Sequence, residues 1–282
     1  MIALIRLTRP HFLLGGALLF ALGTVAAGGA PMTTYLVGQS MVSAIQLTAH
    51  LVNEYADAEA DAAVRNRTWF SGGSGVIADG AVERATALRA ALVTSTLAVA
   101  TITAVALREP VAGAIGAGAF AVAWAYSIEP VRLLDTGFGE LLTTLVVAAG
   151  VPLTGAIVAG GPIEVALWWA IAVLTPIHLA MMLTFELPDL DSDRTTGKRV
   201  LAVRFGASAT RLAVPALVAS GMAVLGLGLG VGALRRPAAW AAVAFLPALL
   251  TAGAIARAGW RQATAGAVAT LVAAALGLMA GL

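Results

Sequence analysis

Two short acidic stretches carry residue types and spacings suited to metal-assisted phosphate chemistry. The first reads His50-Leu51-Val52-Asn53-Glu54-Tyr55-Ala56-Asp57-Ala58-Glu59-Ala60-Asp61, and the second Phe185-Glu186-Leu187-Pro188-Asp189-Leu190-Asp191-Ser192-Asp193. At an offset of 132 residues, Glu54, Asp57, Glu59 and Asp61 fall on Glu186, Asp189, Asp191 and Asp193. Residues four apart on a helix share a face. Asn53, Asp57 and Asp61 therefore make one stripe, and Asp189 and Asp193 another. Paired carboxylates suit Mg2+, which keeps several waters and binds through one or two carboxylates plus substrate phosphate. Basic residues follow each stretch: Arg65 and Arg67 after the first, Arg194, Lys198 and Arg199 after the second. Two such stripes facing each other, with cations beside them, make a diphosphate the natural guest.

The rest of the chain is almost free of charge. Of 282 residues, 60% are hydrophobic and 11% charged, against about 25% charged in a soluble domain. Eight of the 15 acidic residues lie in the two stretches. Carboxylates in a lipid-embedded chain are expensive and mark function. With no cysteine, disulfides and thiolate metal sites are excluded. The basic residues are dispersed, which argues against a nucleic-acid partner.

About 20 apolar residues span a bilayer as a helix. Nine stretches qualify: 11–29, 34–53, 87–107, 110–127, 139–158, 163–185, 209–233, 237–256 and 263–281. The expected architecture is an all-α polytopic membrane protein, one integral domain over 1–282, with two pseudo-repeated halves. Residues 11–29 follow Arg6 and Arg9 as a signal segment would, but are long enough to span and are followed by more spans, so they are taken as the first helix. With the N-terminus inside, 14 of 17 Lys and Arg residues lie on the cytoplasmic side, a positive-inside bias. Thirteen of the 15 acids fall on that side too. The long connections, 54–86 and 186–208, follow the two acidic stretches, and long loops in a compact bundle are usually functional. Solvated loop acids paired with arginines are the bland alternative. A cation pathway in a transporter is another, although no ionisable residues continue a path across the remaining spans.

Asn53-x-x-x-Asp57-x-x-x-Asp61 and Asp189-x-x-x-Asp193 resemble the two aspartate-rich motifs of the UbiA superfamily of intramembrane prenyltransferases. Gly197-Lys198-Arg199-Val200-Leu201-Ala202-Val203-Arg204-Phe205-Gly206 is similar to the segment after the family's second motif. Tyr126-Ser127-Ile128-Glu129-Pro130-Val131-Arg132-Leu133 with Gly137-Phe138-Gly139-Glu140 is similar to its central loop, and Arg6-Leu7-Thr8-Arg9-Pro10 to its usual start. Phe185 stands where members often carry Asn, and Glu186 where Asp is usual. The resemblance implies nine helices around a central cavity and transfer of an isoprenyl group from a prenyl diphosphate, through an allylic carbocation, to an aromatic acceptor. It implies Asp57, Asp61, Asp189 and Asp193 as catalytic Mg2+ ligands. Asn53, Lys198 and Arg199 would bind the diphosphate, and Arg67 and Tyr126 would lie near the leaving group. It also implies a prokaryotic inner membrane, with active-site loops in the cytoplasm. Tyr55, Trp69, Tyr126 and Phe185 are candidates to stabilise a cation, each by roughly 0.5–2 kcal/mol.

The run Phe70-Ser71-Gly72-Gly73-Ser74-Gly75-Val76 looks like the MenA-type branch, which prenylates dihydroxynaphthoate in menaquinone synthesis, though members of that branch often have Pro where Trp69 stands. A flexible linker is the plain alternative. His50, one turn before Asn53, and His178, about three turns before Asp189, either face the cavity or bond neighbouring helices. A terpene cyclase of the same superfamily, and a non-catalytic prenyl-lipid-binding protein, remain as alternatives.

Overall fold

The computed structural model describes residues 2–282. Among them every element is helical: α1 (Ile2–Leu7), α2 (Leu13–Ala26), α3 (Met32–Ala56), α4 (Ala58–Ala63), α5 (Arg84–Ala106), α6 (Pro110–Ala125), α7 (Gly139–Leu145), α8 (Val151–Ala159), α9 (Val165–Glu186), α10 (Leu190–Thr195), α11 (Leu201–Gly230), α12 (Phe245–Ala256) and α13 (Trp260–Met279), with short 3-10 turns between some of them. Each of the nine expected stretches is helical. Six helices are long and apolar enough to cross a bilayer, among them Gly139–Ala159 and Arg236–Ala256 taken as units, while Pro10–Ala26 and Pro110–Ala125 are shorter. Met32–Ala56 is long enough but carries Gln39, Ser43, Gln46, His50, Asn53 and Glu54 among its apolar residues, so composition alone marks it less strongly.

Small residues set the packing. A Cβ at Gly23 of α2 would strike the carbonyl of Pro152 in α8, and one at Gly155 of α8 would strike that of Phe20. Without side chains at these crossings the two backbones approach directly, as membrane helices do at small-residue faces. Between α7 and α8 a π-turn at Val146–Gly150 precedes Pro152, and π-turns often border functional sites. α11 is kinked at Gly206, whose φ of 83° suits glycine.

The acidic stretches, whose four-residue spacing reads as helical stripes at the ends of the spans, are each broken once. α3 ends at Ala56 and α4 begins at Ala58; α9 ends at Glu186 and α10 begins at Leu190. The hinge residues are Asp57 (φ −93°, ψ 7°) and Asp189 (φ −96°, ψ −3°), each immediately before its short helix. The short helices themselves are related by the same 132-residue offset as the acids. The bonds Asp61 N–H to Asp57 C=O (2.8 Å) and Asp193 N–H to Asp189 C=O (2.9 Å) still cross the hinges. The side chains thus stay one turn apart although each long helix has ended.

Candidate active site

The two hinges meet over one cavity of about 960 Å³, lined by residues from α2, α3, α6, α9, α13 and the π-turn segment. That is near the upper end for small-molecule sites. Its polar end holds Asn53, Asp57, Asp61, Tyr126, Asp189, Asp193 and Lys198, and its apolar walls include Leu19, Met41, Ile45, Val146 and Leu271.

Lys198 joins the halves. Its Nζ lies 2.8 Å from Asp57 Oδ2 and 3.5 Å from Asp193 Oδ1. Asn53 Nδ2 donates to Asp57 Oδ2 at 2.7 Å and to Ser127 Oγ at 3.3 Å. Burial works against the Lys198 charge, but Asp57 and then Asp193 outweigh it and raise its pKa. Asp61 is pushed up to about 7 by burial and then by the charge of Asp57. Asp189 is pushed up to about 8 by burial and then by Asp193 and Asp61. Burial also raises Asp193, against the pull of Lys198. Four carboxylates thus face two buried protein cations, Lys198 and Arg9, an excess of negative charge that a divalent ion would balance.

The donor set fits Mg2+. Asp57 Oδ1 and Asp189 Oδ1 are buried with no hydrogen-bond partner, and carboxylate oxygens are the hard ligands this ion prefers. Among the described residues, no three His, Cys, Asp or Glu side chains stand close enough to enclose an ion unaided. Phosphate oxygens and water would therefore complete its shell, the usual arrangement for Mg2+.

A loop over residues 64–76 covers this end. Gly73, at φ +66°, lies so close to Asp61 that a Cβ would strike its Oδ2. Arg67 braces the loop, donating from Nε to Gly72 C=O and from Nη2 to Asp61 C=O, each at 2.7 Å. Glu54 accepts from Ser74 N–H and Ser74 Oγ, both at 2.6 Å. Its counterpart Glu186 accepts from Ala202 N–H at 2.8 Å, and Glu140 from Leu201 N–H at 3.0 Å, so both carboxyls fix the start of α11.

Arg67 and Arg199 do not line the cavity. The Arg199 side chain is exposed while its N–H bonds Asp135 Oδ1 at 3.0 Å. Glu59 and Asp191 are exposed. Of the four aromatic candidates, Tyr126 and Phe185 line the cavity, but Tyr55 stacks under Arg84 and Trp69 is 80% exposed. His50 and His178 both line the cavity, and His178 Nδ1 is 3.0 Å from Thr144 Oγ1. Arg9, Phe12 and Phe70 also line it, a placement that sequence reasoning did not assign to them. A buried arginine before Pro10 has no pattern to separate it from a surface one.

Residues 11–272 match the UbiA prenyltransferase family, and the chain belongs to that family. It is an integral membrane protein of that family's fold. A UbiA homolog from Aeropyrum pernix K1, without ligand, superposes with a TM-score of 0.70 over 95% of both chains at 17% identity. A UbiA homolog from Archaeoglobus fulgidus bound to GPP and Mg2+ gives 0.66 over 98% of this chain and 96% of that one, at 15% identity. A digeranylgeranylglyceryl phosphate synthase structure gives 0.64 over 100% and 99%, at 12% identity. A comparison with curated proteins yields no match.

Proposed function

We propose that this protein is a Mg2+-dependent prenyltransferase, moving an isoprenyl group from a prenyl diphosphate to an aromatic quinone precursor within the membrane. The observation that carries this reading is the contact of Lys198 with Asp57 and Asp193, one from each acidic hinge. The A. fulgidus homolog bound to GPP and Mg2+ agrees with it.

Asp57, Asp61, Asp189 and Asp193 would hold Mg2+, with Asn53 orienting Asp57. When bound, Mg2+ supplies Lewis-acid stabilisation of the charge that develops on the diphosphate. Lys198 neutralises the same charge from the protein side. The C1–O bond breaks with its electron pair on the diphosphate, leaving an allylic cation. A ring carbon of the acceptor then bonds C1, and its proton leaves to restore aromaticity. The apolar walls keep water from the cation, and Tyr126 and Phe185 present rings to the cavity. The Phe70–Val76 loop over Asp61 supports dihydroxynaphthoate as the acceptor. Nine spans in two pseudo-repeated halves, with the N-terminus and acidic ends at the cytoplasmic face of a prokaryotic inner membrane, complete the proposal.

The test is to incubate purified protein with labelled geranyl diphosphate, Mg2+ and 1,4-dihydroxy-2-naphthoate. The expected products are prenylated 1,4-dihydroxy-2-naphthoate, diphosphate and a proton. A cyclic hydrocarbon formed without acceptor indicates a cyclase instead, and no diphosphate release under any condition sinks the proposal.

A further inference from the structure

From Arg194 to Leu282 the chain carries nine basic residues and no acidic one. Three of the nine gather at one corner of the bundle, away from the central cavity, whose lining includes none of them. Arg211 of α11 has its Cζ 5.8 Å from the centroid of the Trp260 ring. Arg257 and Arg261 flank that tryptophan in the turn from α12 to α13. The turn is tight: Ala258 takes a φ of 52°, and Gly259 N–H returns to Ala254 C=O at 2.8 Å. All three arginines are exposed, and no ion pair among the described residues uses them. Arg204, in the same acid-free stretch, is held instead by the carbonyls of Arg199 and Asp135. Below the arginines the surface is apolar. Leu246, Leu250, Gly253 and Arg257 share one face of α12 by their spacing, and the two leucines are 65% and 72% exposed. The Arg257 guanidinium lies back along this face, 3.6 Å from where a Cβ of Gly253 would stand. A positive-inside bias accounts for arginines at this end of the bundle. It does not account for three of them around one tryptophan with no acid to pair them.

We propose that Arg211, Arg257 and Arg261, gathered around Trp260, bind the headgroup of an anionic phospholipid, with an acyl chain along Leu246 and Leu250. Basic clusters between membrane helices recognise acidic headgroups in this way. The lipid phosphate accepts from guanidinium groups, whose planar donors suit its oxygens. Trp260 sits where an interfacial tryptophan belongs, at headgroup level. Gly253 leaves the α12 face open between the arginine and the leucines, so one chain can run from charge to apolar surface without a step. A neutral, zwitterionic headgroup brings its own cation to the same corner and gains less. The site is independent of the prenyltransferase reading.

The experiment titrates the delipidated full chain, in a neutral maltoside detergent, with dioleoylphosphatidylglycerol or dioleoylphosphatidylcholine and counts lipid-bound protein by native mass spectrometry. The wild type is expected to hold phosphatidylglycerol at least about tenfold more tightly than phosphatidylcholine, as several arginines at an anionic headgroup should. Arg211→Gln, Arg257→Gln and Arg261→Gln each weaken phosphatidylglycerol by about fivefold, the scale of one arginine near an anionic surface, and the triple variant loses the preference. The side chains are exposed, so these variants fold as the wild type does. Arg235→Gln/Arg236→Gln removes two charges from the far end of α11 and keeps the preference. Equal binding of the two lipids by the wild type overturns the site. A preference lost as fully in Arg235→Gln/Arg236→Gln as in the triple variant shows general charge attraction and overturns it too. Displacement of phosphatidylglycerol by excess inorganic phosphate at constant ionic strength shows a site for free phosphate and overturns the lipid assignment.

Discussion

The two acidic hinges are alike in backbone and unlike in what lies on top of them. Each has an aspartate at its break, a short helix after it, and a second aspartate one turn later. Each also has a glutamate three residues before the hinge that accepts a backbone N–H from the next segment. Glu54 uses its bond to hold Ser74 of the glycine-rich loop, whereas Glu186 uses its own to hold Ala202 at the start of α11. The first hinge is thus roofed by a loop, and the second is locked to a long helix. The shared part is what a metal and a diphosphate require. The unshared part differs in what is held: a glycine-rich loop on one side, and on the other the start of a long helix, just after Lys198.

If the hinges act as one site, Asp57→Ala and Asp189→Ala should each lower kcat/KM by about a thousandfold or more, about 4 kcal/mol of transition-state stabilisation. A large loss at one hinge and a small loss at the other, in diphosphate-release kinetics, would mean the halves are not equivalent. Lys198→Met should follow with a loss of about a hundredfold, as expected when a buried charge pair loses one partner, and Lys198→Arg should recover part of it.

The glutamates separate the halves. Glu54→Gln keeps one acceptor oxygen but loses its charge beside Arg9. It should lower activity by about tenfold, a loss of roughly 1.4 kcal/mol, and speed proteolytic cleavage within 64–76. Glu186→Gln should leave that loop protected. Equal protease sensitivity in the two variants would contradict the division of roles. Smallest of all, Glu59→Ala and Asp191→Ala, both exposed, should change kcat/KM by less than about twofold, as surface substitutions do.

Protons compete with metal at both hinges. Asp61 and Asp189 are raised to about 7 and about 8, so both are substantially protonated at pH 6, and Mg2+ must displace those protons. Apparent Mg2+ affinity should therefore rise from pH 6 to pH 8.5, by up to about tenfold per pH unit for each proton displaced. Titrations of Mg2+ dependence that are flat over this range would show that the ion does not use these carboxylates.

Much of this was legible in the sequence because apolar length and charge scarcity are strong signals. All nine expected stretches are helical, and the paired aspartates do line one cavity. The hinges were not legible: a four-residue spacing reads as continuous helix, and the side chains keep nearly that phase after the helix breaks. Arg199 follows Lys198 directly, yet only Lys198 turns inward, since consecutive residues point apart where the chain enters α11. Arg9, Phe12 and Phe70 reach the cavity through long-range contacts such as Arg9 Nη2 to Phe70 C=O, which local patterns do not encode. The roles of Glu54 and Glu186 depend on backbone groups 20 and 16 residues further on, so their matched positions were visible in the sequence but their partners were not.

The most direct test of one shared site is equilibrium binding of geranyl diphosphate with Mg2+ to the wild type, Asp57→Ala, Asp189→Ala and the double variant. A single site predicts that each substitution weakens binding by at least about tenfold and that the double variant is little worse than either, because coupled residues are not additive. Losses that simply add, or Mg2+-dependent binding that survives both substitutions, would contradict it.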